Sequence, residues 1–195
     1  MTIGEEFAAT LALAQGGDHR AHELLYRDLA PLVLGYLRSN GARDPEDLTS
    51  EVFIAVVRGI DRFEGTEPKF RSWVLTIAHR RLVDEFRHRS RRPEDPVEPD
   101  QATLYDVPDE RSPETDALNA LDAAMLAGLL AELTEDQRAV ITLRIIGDMP
   151  IKEVADALDK PITAVKSLQH RALATLARHL ELHAGGIPDR PRSDS

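Results

Sequence analysis

The 195-residue chain has no cysteine, only 5% aromatic residues and no long apolar run. The absence of cysteine excludes disulfide bonds and thiolate metal sites, and it fits a reducing compartment. No apolar segment approaches the roughly 20 residues needed to cross a bilayer, so we expect no membrane insertion. Glu5 and Glu6 lie where a secretory signal would carry positive charge. These absences predict a soluble, intracellular protein.

The usual sequence signatures of catalysis are also missing. There is no Gly-rich phosphate loop, no cysteine nucleophile and no G-x-S-x-G turn. Asp18, His19, His22 and Glu23 form a local cluster of carboxylate and imidazole groups, but no distant ligand completes it. We therefore expect no catalytic residue, no cofactor and no bound metal.

The charged residues that are present are sorted along the chain. The formal net charge is -10, yet residues 69–92 contain eight Lys or Arg against two acids, and residues 160–180 contain four against none. Residues 93–118, in contrast, contain nine acids and a single Arg. Two basic segments in an acidic protein indicate a polyanion that is bound at two places.

Apolar residues recur at helical spacing almost throughout, and the alternation typical of strands is nearly absent. The sequence therefore predicts an all-α fold. Residues 93–112 are rich in proline and acid and poor in aliphatic side chains, so they cannot bury enough surface to order themselves. We expect two small helical domains, 1–92 and 113–183, joined by this flexible acidic linker, and a disordered tail over 184–195.

Local signals place the helices of the first domain. Asp44 is a natural N-cap before Pro45, which predicts a helix running to about Arg62. An apolar stripe predicts the next helix over about 69–89. The spacing of Trp73 within this stripe assigns its ring to the core rather than to a stacked base.

The end of the chain has the pattern of a helix-turn-helix. Thr134 and Gln137 form a capping box, and a short helix over 151–158, a tight turn at 159–161 and a final helix over about 163–182 follow. The start of such a final helix enters the major groove of duplex DNA. Its candidate DNA-contacting side chains are Lys166, Ser167, Gln169, His170 and Arg171. The alternative interpretation is a solvated cationic face on a bundle helix.

Two ordered sets of motifs resemble one known family. The stretches Pro45-Glu-Asp-Leu48, Glu51-Val-Phe53 and Phe70-Arg-Ser-Trp73 resemble region 2 of bacterial RNA polymerase sigma factors. The stretch Leu133 to Arg144, with Ile151-Lys-Glu-Val-Ala155 and Val165-Lys-Ser167, resembles region 4. The short chain and the absence of other sigma regions indicate the extracytoplasmic-function (ECF) group.

The resemblance implies a factor that binds core RNA polymerase, recognises the -10 and -35 promoter elements and promotes DNA melting. Contacts with the -35 duplex are assigned to the five residues of the final helix. Contacts with the melted -10 element are assigned to Arg62, Phe63, Lys69, Arg71, Arg80, Arg81 and Arg87. The β′ clamp helices of the polymerase are expected on Asp47, Leu48, Glu51 and Phe53. The alternative is that Phe53 is buried and that the acids merely suit the start of the helix. The β flap is expected on the apolar helices around Leu133, Val140 and Leu143.

The resemblance also implies an anti-sigma factor that covers both DNA-binding faces. The protein is then expected in the cytoplasm, either free or held at the membrane through that partner. The acidic linker is either an electrostatic stand-in for nucleic acid in the polymerase channel or a solvated spacer.

Two other classes of protein fit the sequence. One is an autonomous helix-turn-helix regulator, which binds duplex operator DNA alone and usually as a dimer. The other is an adaptor whose apolar faces bind another protein. Only a sigma factor is expected to gain promoter binding when it is placed on core polymerase.

Overall fold

The computed structural model describes residues 4–91 and 125–184, and within these ranges all regular structure is helical. The first half contains α1 (Phe7–Gln15), α2 (His19–Ser39), α3 (Pro45–Gly59) and α4 (Glu67–Arg91), with short 3-10 helices at Gly4–Glu6 and Ile60–Arg62. The second half contains α5 (described over 125–131), α6 (Glu135–Ile145), α7 (Ile151–Ala157) and α8 (Ile162–Ala184). The all-α prediction is confirmed. The predicted linker and residues 185–195 of the predicted tail lie outside the described residues.

Capping side chains set the starts of α3 and α6, as the sequence predicts. Asp44 Oδ1 accepts a hydrogen bond of 2.9 Å from the Asp47 amide, and Pro45 is the first residue of α3. The Thr134 amide donates to Gln137 Oε1 over 3.1 Å, and the Gln137 amide donates to Thr134 Oγ1 over 3.4 Å. These bonds satisfy backbone donors that have no partner inside the helix.

Helix α4 packs against both α2 and α3 and holds the first half together. Its inward stripe is at most 2% exposed and consists of Phe70, Val74, Leu75, Ala78 and Leu82. Trp73 lies beside this stripe and is partly exposed, with its ring centroid 5.3 Å from Phe63 and 5.5 Å from Phe70. The expected packing role of Trp73 is therefore observed.

The two halves pack against each other, which the sequence did not predict. A single hydrophobic cluster contains buried residues of both, including Leu75 of α4 and Met149 of the loop before α7. Across the junction, buried Asn40 Nδ2 donates a hydrogen bond of 3.0 Å to Thr142 Oγ1. Gly147 lies against Leu75 so closely that an added Cβ would be 2.6 Å from Leu75 Cδ1. The absence of a side chain at Gly147 allows this approach.

We expect Gly147→Ala to destabilise the protein by about 1–3 kcal/mol, since the new methyl group overpacks the junction. It would also lie 2.6 Å from the Leu143 carbonyl oxygen. Urea unfolding followed by circular dichroism measures the effect. The control is Gly128→Ala on α5, where an added Cβ meets nothing within 4 Å. That change should be neutral or stabilising by up to about 1 kcal/mol. Equal stability of the two variants would contradict the close packing.

Candidate nucleic-acid interface

Helices α7 and α8 form the helix-turn-helix. Asp159 adopts a left-handed backbone conformation with φ of 51° in the turn between them, and the Lys160 amide donates to the Ala155 carbonyl over 3.0 Å. On α8, Val165 and Ala172 are fully buried against the rest of the second half. The turn and these two buried positions fix which side of α8 faces outward.

The outward side of the start of α8 carries the side chains predicted to contact the -35 duplex. Lys166, Ser167, His170 and Arg171 are exposed, and Gln169 is half-buried at the edge of the same surface. Their donors and acceptors are of the kinds that read base edges and phosphates in the major groove. The structure thus brings the five residues together on one open surface.

The seven residues predicted to contact the -10 element, in contrast, lie in three places. Arg62, Phe63 and Lys69 surround the loop between α3 and α4. Arg62 and Lys69 are exposed, and Phe63 is half-buried with its ring 5.0 Å from the Phe70 ring. An added Cβ at Gly65 would lie 3.0 Å from Phe63 Cζ, so the loop closes tightly around this ring.

A second group, Arg80 and Arg87, lines a cleft of about 600 Å3 between α4 and the second half of the chain. Arg87 Nη1 is 3.5 Å from Asp84 Oδ1 on the same helix. The opposite wall carries the charged residues Glu135, Asp136, Asp156, Asp159 and Lys160. The second half therefore presents mostly negative charge to the basic side of α4.

The third group, Arg71 and Arg81, is engaged in ion pairs inside the first half. Arg71 Nη2 is 3.3 Å from Glu67 Oε1, with both side chains less than a quarter exposed. Arg81 Nη1 is 3.6 Å from Glu51 Oε2 on α3. These two arginines do not share an open surface with Arg80 and Arg87, because they lie on other sides of α4.

The residues predicted to bind the polymerase lie on two sides of α3. Asp47 and Glu51 are exposed on one face, whereas Leu48 and Phe53 are only 8% and 9% exposed. Leu48 and Phe53, which were expected to contact the polymerase, are therefore packed inside the first half. The Phe53 ring lies edge-on to Tyr26, with the ring centroids 4.7 Å apart.

Two apolar residues of α3 were missed by the sequence analysis. Ile54 and Val57 are 51% and 52% exposed. Ile54 lies three residues after Glu51 and seven after Asp47, so helical periodicity places it on their face. That spacing is the signal that could have identified it.

The apolar residues expected to receive the β flap are buried. Leu133 is 3% exposed, and Val140 and Leu143 are fully buried. In the observed arrangement they form core rather than an outer surface.

The polar cluster at the start of α2 makes hydrogen bonds and an ion pair within that helix and its cap. Asp18 Oδ1 accepts a hydrogen bond of 2.9 Å from the Ala21 amide, and Glu23 pairs with Arg27 at 2.6 Å. His22 Nδ1 lies 2.8 Å from the carbonyl oxygen of Asp18. Among the described residues, no three potential ligands are grouped as a metal site would require.

No helix in the described ranges is long and apolar enough to span a membrane.

His79 lies at the cleft, where its Nδ1 is 2.9 Å from the Tyr36 hydroxyl. Burial lowers the pKa of His79 from 6.5 to about 4, with smaller effects of Asp136, which raises it, and of Lys160 and Arg80, which lower it. Burial also raises the pKa of the Tyr36 phenol. Both rings are therefore neutral at pH 7, and the pair joins α2 to α4 without a buried charge.

The comparisons with known proteins agree with this architecture. Residues 25–92 match the family Sigma-70 region 2, and residues 123–176 match Sigma-70, region 4. The ECF RNA polymerase sigma factor ShbA of Streptomyces griseus is 34% identical over 82% of this chain and 87% of its own. SigX of Bacillus subtilis is 35% identical over 83% and 80%. BldN of Streptomyces coelicolor is 34% identical over 86% of this chain, which spans 63% of that protein.

A solved structure shares the fold. CnrH in complex with the cytosolic domain of CnrY has a TM-score of 0.61 and 24% identity, covering 89% of this chain and 96% of its own. The two helical halves and the family matches define a promoter-recognising factor of RNA polymerase. The chain belongs to the sigma-70 family and, within it, to the ECF sigma factors.

We expect folding stability to fall by about 2 kcal/mol between pH 7 and pH 5 because of His79. The folded-state pKa lies below the unfolded one, so the stability is fully present above pH 6.5 and declines as pH falls towards 4. Urea unfolding at the two pH values measures the loss. His79→Gln should remove most of it, while His88→Gln, at an exposed position of α4, should leave it unchanged. An unchanged loss in His79→Gln would contradict the assignment.

Proposed function

We propose that this sigma factor holds promoter DNA at two separate surfaces, the outer face of α8 and the loop between α3 and α4. The observation that carries the proposal is the open cluster of polar side chains at the start of α8, set on a complete helix-turn-helix. A helix presented in this way binds the major groove of intact duplex DNA. The -35 element is therefore assigned to Lys166, Ser167, Gln169, His170 and Arg171.

The loop between α3 and α4 is proposed to capture a base of the melted -10 element. Phe63 offers an aromatic edge, and the exposed Arg62 and Lys69 supply positive charge for the neighbouring phosphates. Arg80 and Arg87 extend this charge along α4. Arg71 and Arg81 are proposed to act through their ion pairs, as residues that position α4.

Core polymerase is proposed to dock on the outer face of α3. Asp47 and Glu51 provide charge on this face, and Ile54 and Val57 provide exposed apolar area. Such a mixture of central apolar groups and polar edges is typical of protein interfaces. Leu48 and Phe53 pack on the buried side of α3 and hold this face in position. The second half is proposed to receive the β flap, as the family resemblance implies.

Three finer features are proposed on the basis of the family resemblance. We infer that no side chain of this protein catalyses a reaction, since the chemistry of transcription belongs to the polymerase. The protein is proposed to act in the cytoplasm, where that enzyme works. CnrH was solved with the cytosolic domain of CnrY. By the family resemblance, an anti-sigma partner is proposed for this chain.

In vitro transcription tests the assignment as a whole. Purified core polymerase, with and without this chain, is given promoters selected from genomic fragments by the assembled holoenzyme. We expect specific start sites that depend on the chain. Tight binding of the isolated chain to duplex DNA, with no effect on the polymerase, would favour an autonomous regulator.

Arg171→Ala should weaken -35-dependent transcription by the equivalent of roughly 1–3 kcal/mol, because one base or phosphate contact is removed. Arg178→Ala is the matched control, since Arg178 is exposed on the same helix two turns further on. Run-off transcription on promoters with intact and scrambled -35 elements measures the effect. Equal activity of the two variants on the intact promoter would contradict the proposed contact.

Ile54→Glu should weaken association with core polymerase about tenfold, because a charge replaces apolar area at the centre of the proposed interface. Leu13→Glu on α1 is the control, as Leu13 is similarly exposed at 58%. Fluorescence titration of the labelled chain with core polymerase measures the affinity. Similar affinities of both variants would place the polymerase elsewhere on the molecule.

A further inference from the structure

Helix α1 lies outside both family matches, because the region 2 match begins at residue 25. Its contacts with the rest of the first half are therefore not part of the matched regions. At the end of α1, Gln15 Nε2 donates two hydrogen bonds to the segment that follows α3. One goes to the Ile60 carbonyl oxygen over 2.9 Å, and the other to the Phe63 carbonyl oxygen over 2.8 Å. A single amide therefore holds both ends of the 3-10 turn that leads into the loop.

Two further contacts tie α1 and the residues before it to the start of α4. The Phe7 ring lies 5.5 Å from the Phe70 ring, and the Gly4 amide donates to Glu67 Oε2 over 3.0 Å. The Phe70 ring in turn contacts Phe63. The N-terminal segment thus contacts the backbone carbonyl groups at the start of the loop. It also contacts Phe70, the ring against which Phe63 packs.

We propose that Gln15 is a positioning residue for the loop between α3 and α4, and that it thereby governs recognition of the -10 element. Its two donors fix the carbonyl groups of Ile60 and Phe63, and so they fix the direction in which the Phe63 ring and the Arg62 side chain leave the backbone. A loop that is already ordered loses less conformational entropy when it binds DNA. This inference rests on the proposed role of the loop in capturing a -10 base.

Two substitutions separate hydrogen bonding from mere occupancy of the site. Gln15→Glu keeps the shape of the side chain but replaces the donor by a carboxylate, which repels the two carbonyl oxygens. Gln15→Lys retains a long side chain with donors and should preserve the Gln15 clamp, that is, the two hydrogen bonds to the Ile60 and Phe63 carbonyl groups. Ala12→Gln is the control on the same helix, because Ala12 is exposed.

The first readout needs no DNA. Trp73 is the only tryptophan of the chain and lies against Phe63, so its fluorescence reports on the loop. For Gln15→Glu we expect a red-shifted emission and faster amide hydrogen exchange over residues 61–66. Gln15→Lys and Ala12→Gln should resemble the original protein. Unchanged exchange and emission in Gln15→Glu would overturn the clamp.

The second readout uses the holoenzyme assembled with core polymerase. Gln15→Glu should weaken binding of a single-stranded -10 oligonucleotide by roughly tenfold, while discrimination between intact and scrambled -35 elements is retained. Retained -35 discrimination shows that the variant still assembles with core polymerase and that α8 keeps its structure. Faster loop exchange with unchanged -10 binding would overturn the recognition role of Gln15, yet leave the two hydrogen bonds standing. Lys69→Ala removes an exposed positive charge beside the loop without touching Gln15, and unchanged -10 binding in that variant would overturn the -10 function proposed for the loop.

Discussion

The burial of one stripe of α4 is the constraint on which the rest of the structure depends. Five side chains of this helix are nearly inaccessible to water, and their removal from water is the main driving force for packing α4 on α2 and α3. Once that stripe faces inward, the direction of every other side chain on α4 is set by helical geometry. Arg80 then points into the cleft, while Arg81 turns towards Glu51 of α3.

The parts of the fold that depend on neighbouring residues could be predicted from the sequence. The caps at Asp44 and Thr134 are local, and so are the apolar repeats that define the helices. The outer face of α3 could not be predicted in full, because this helix has more apolar residues than one buried stripe can hold. Which of them stay in contact with water is decided by how α2 and α4 pack on α3, and the spacing of residues within α3 does not show that packing. For that reason Phe53 is inside and Ile54 outside.

The two candidate DNA surfaces also differ in how far the sequence predicts them. On α8 two deeply buried positions leave an obvious opposite face, and the sequence identified its five polar residues together. On α4 the local charge indicated a basic helix but gave no information on partners. The pair of Arg71 with Glu67 is four residues apart and is visible in the sequence, whereas the pair of Arg81 with Glu51 depends on tertiary packing. The bonds from Gln15 to the segment after α3 also span distant parts of the chain.

The hydrophobic cluster shared by both halves links their conformational equilibria. Any partner that draws the halves apart must offset the hydration of Leu75 and Met149 and the loss of the bond between Asn40 and Thr142. A ligand with equal affinity for the joined and parted forms leaves their ratio unchanged, however tightly it binds. Two partners that bind different halves and both favour the parted form therefore bind cooperatively, because each raises the affinity of the other by the same factor.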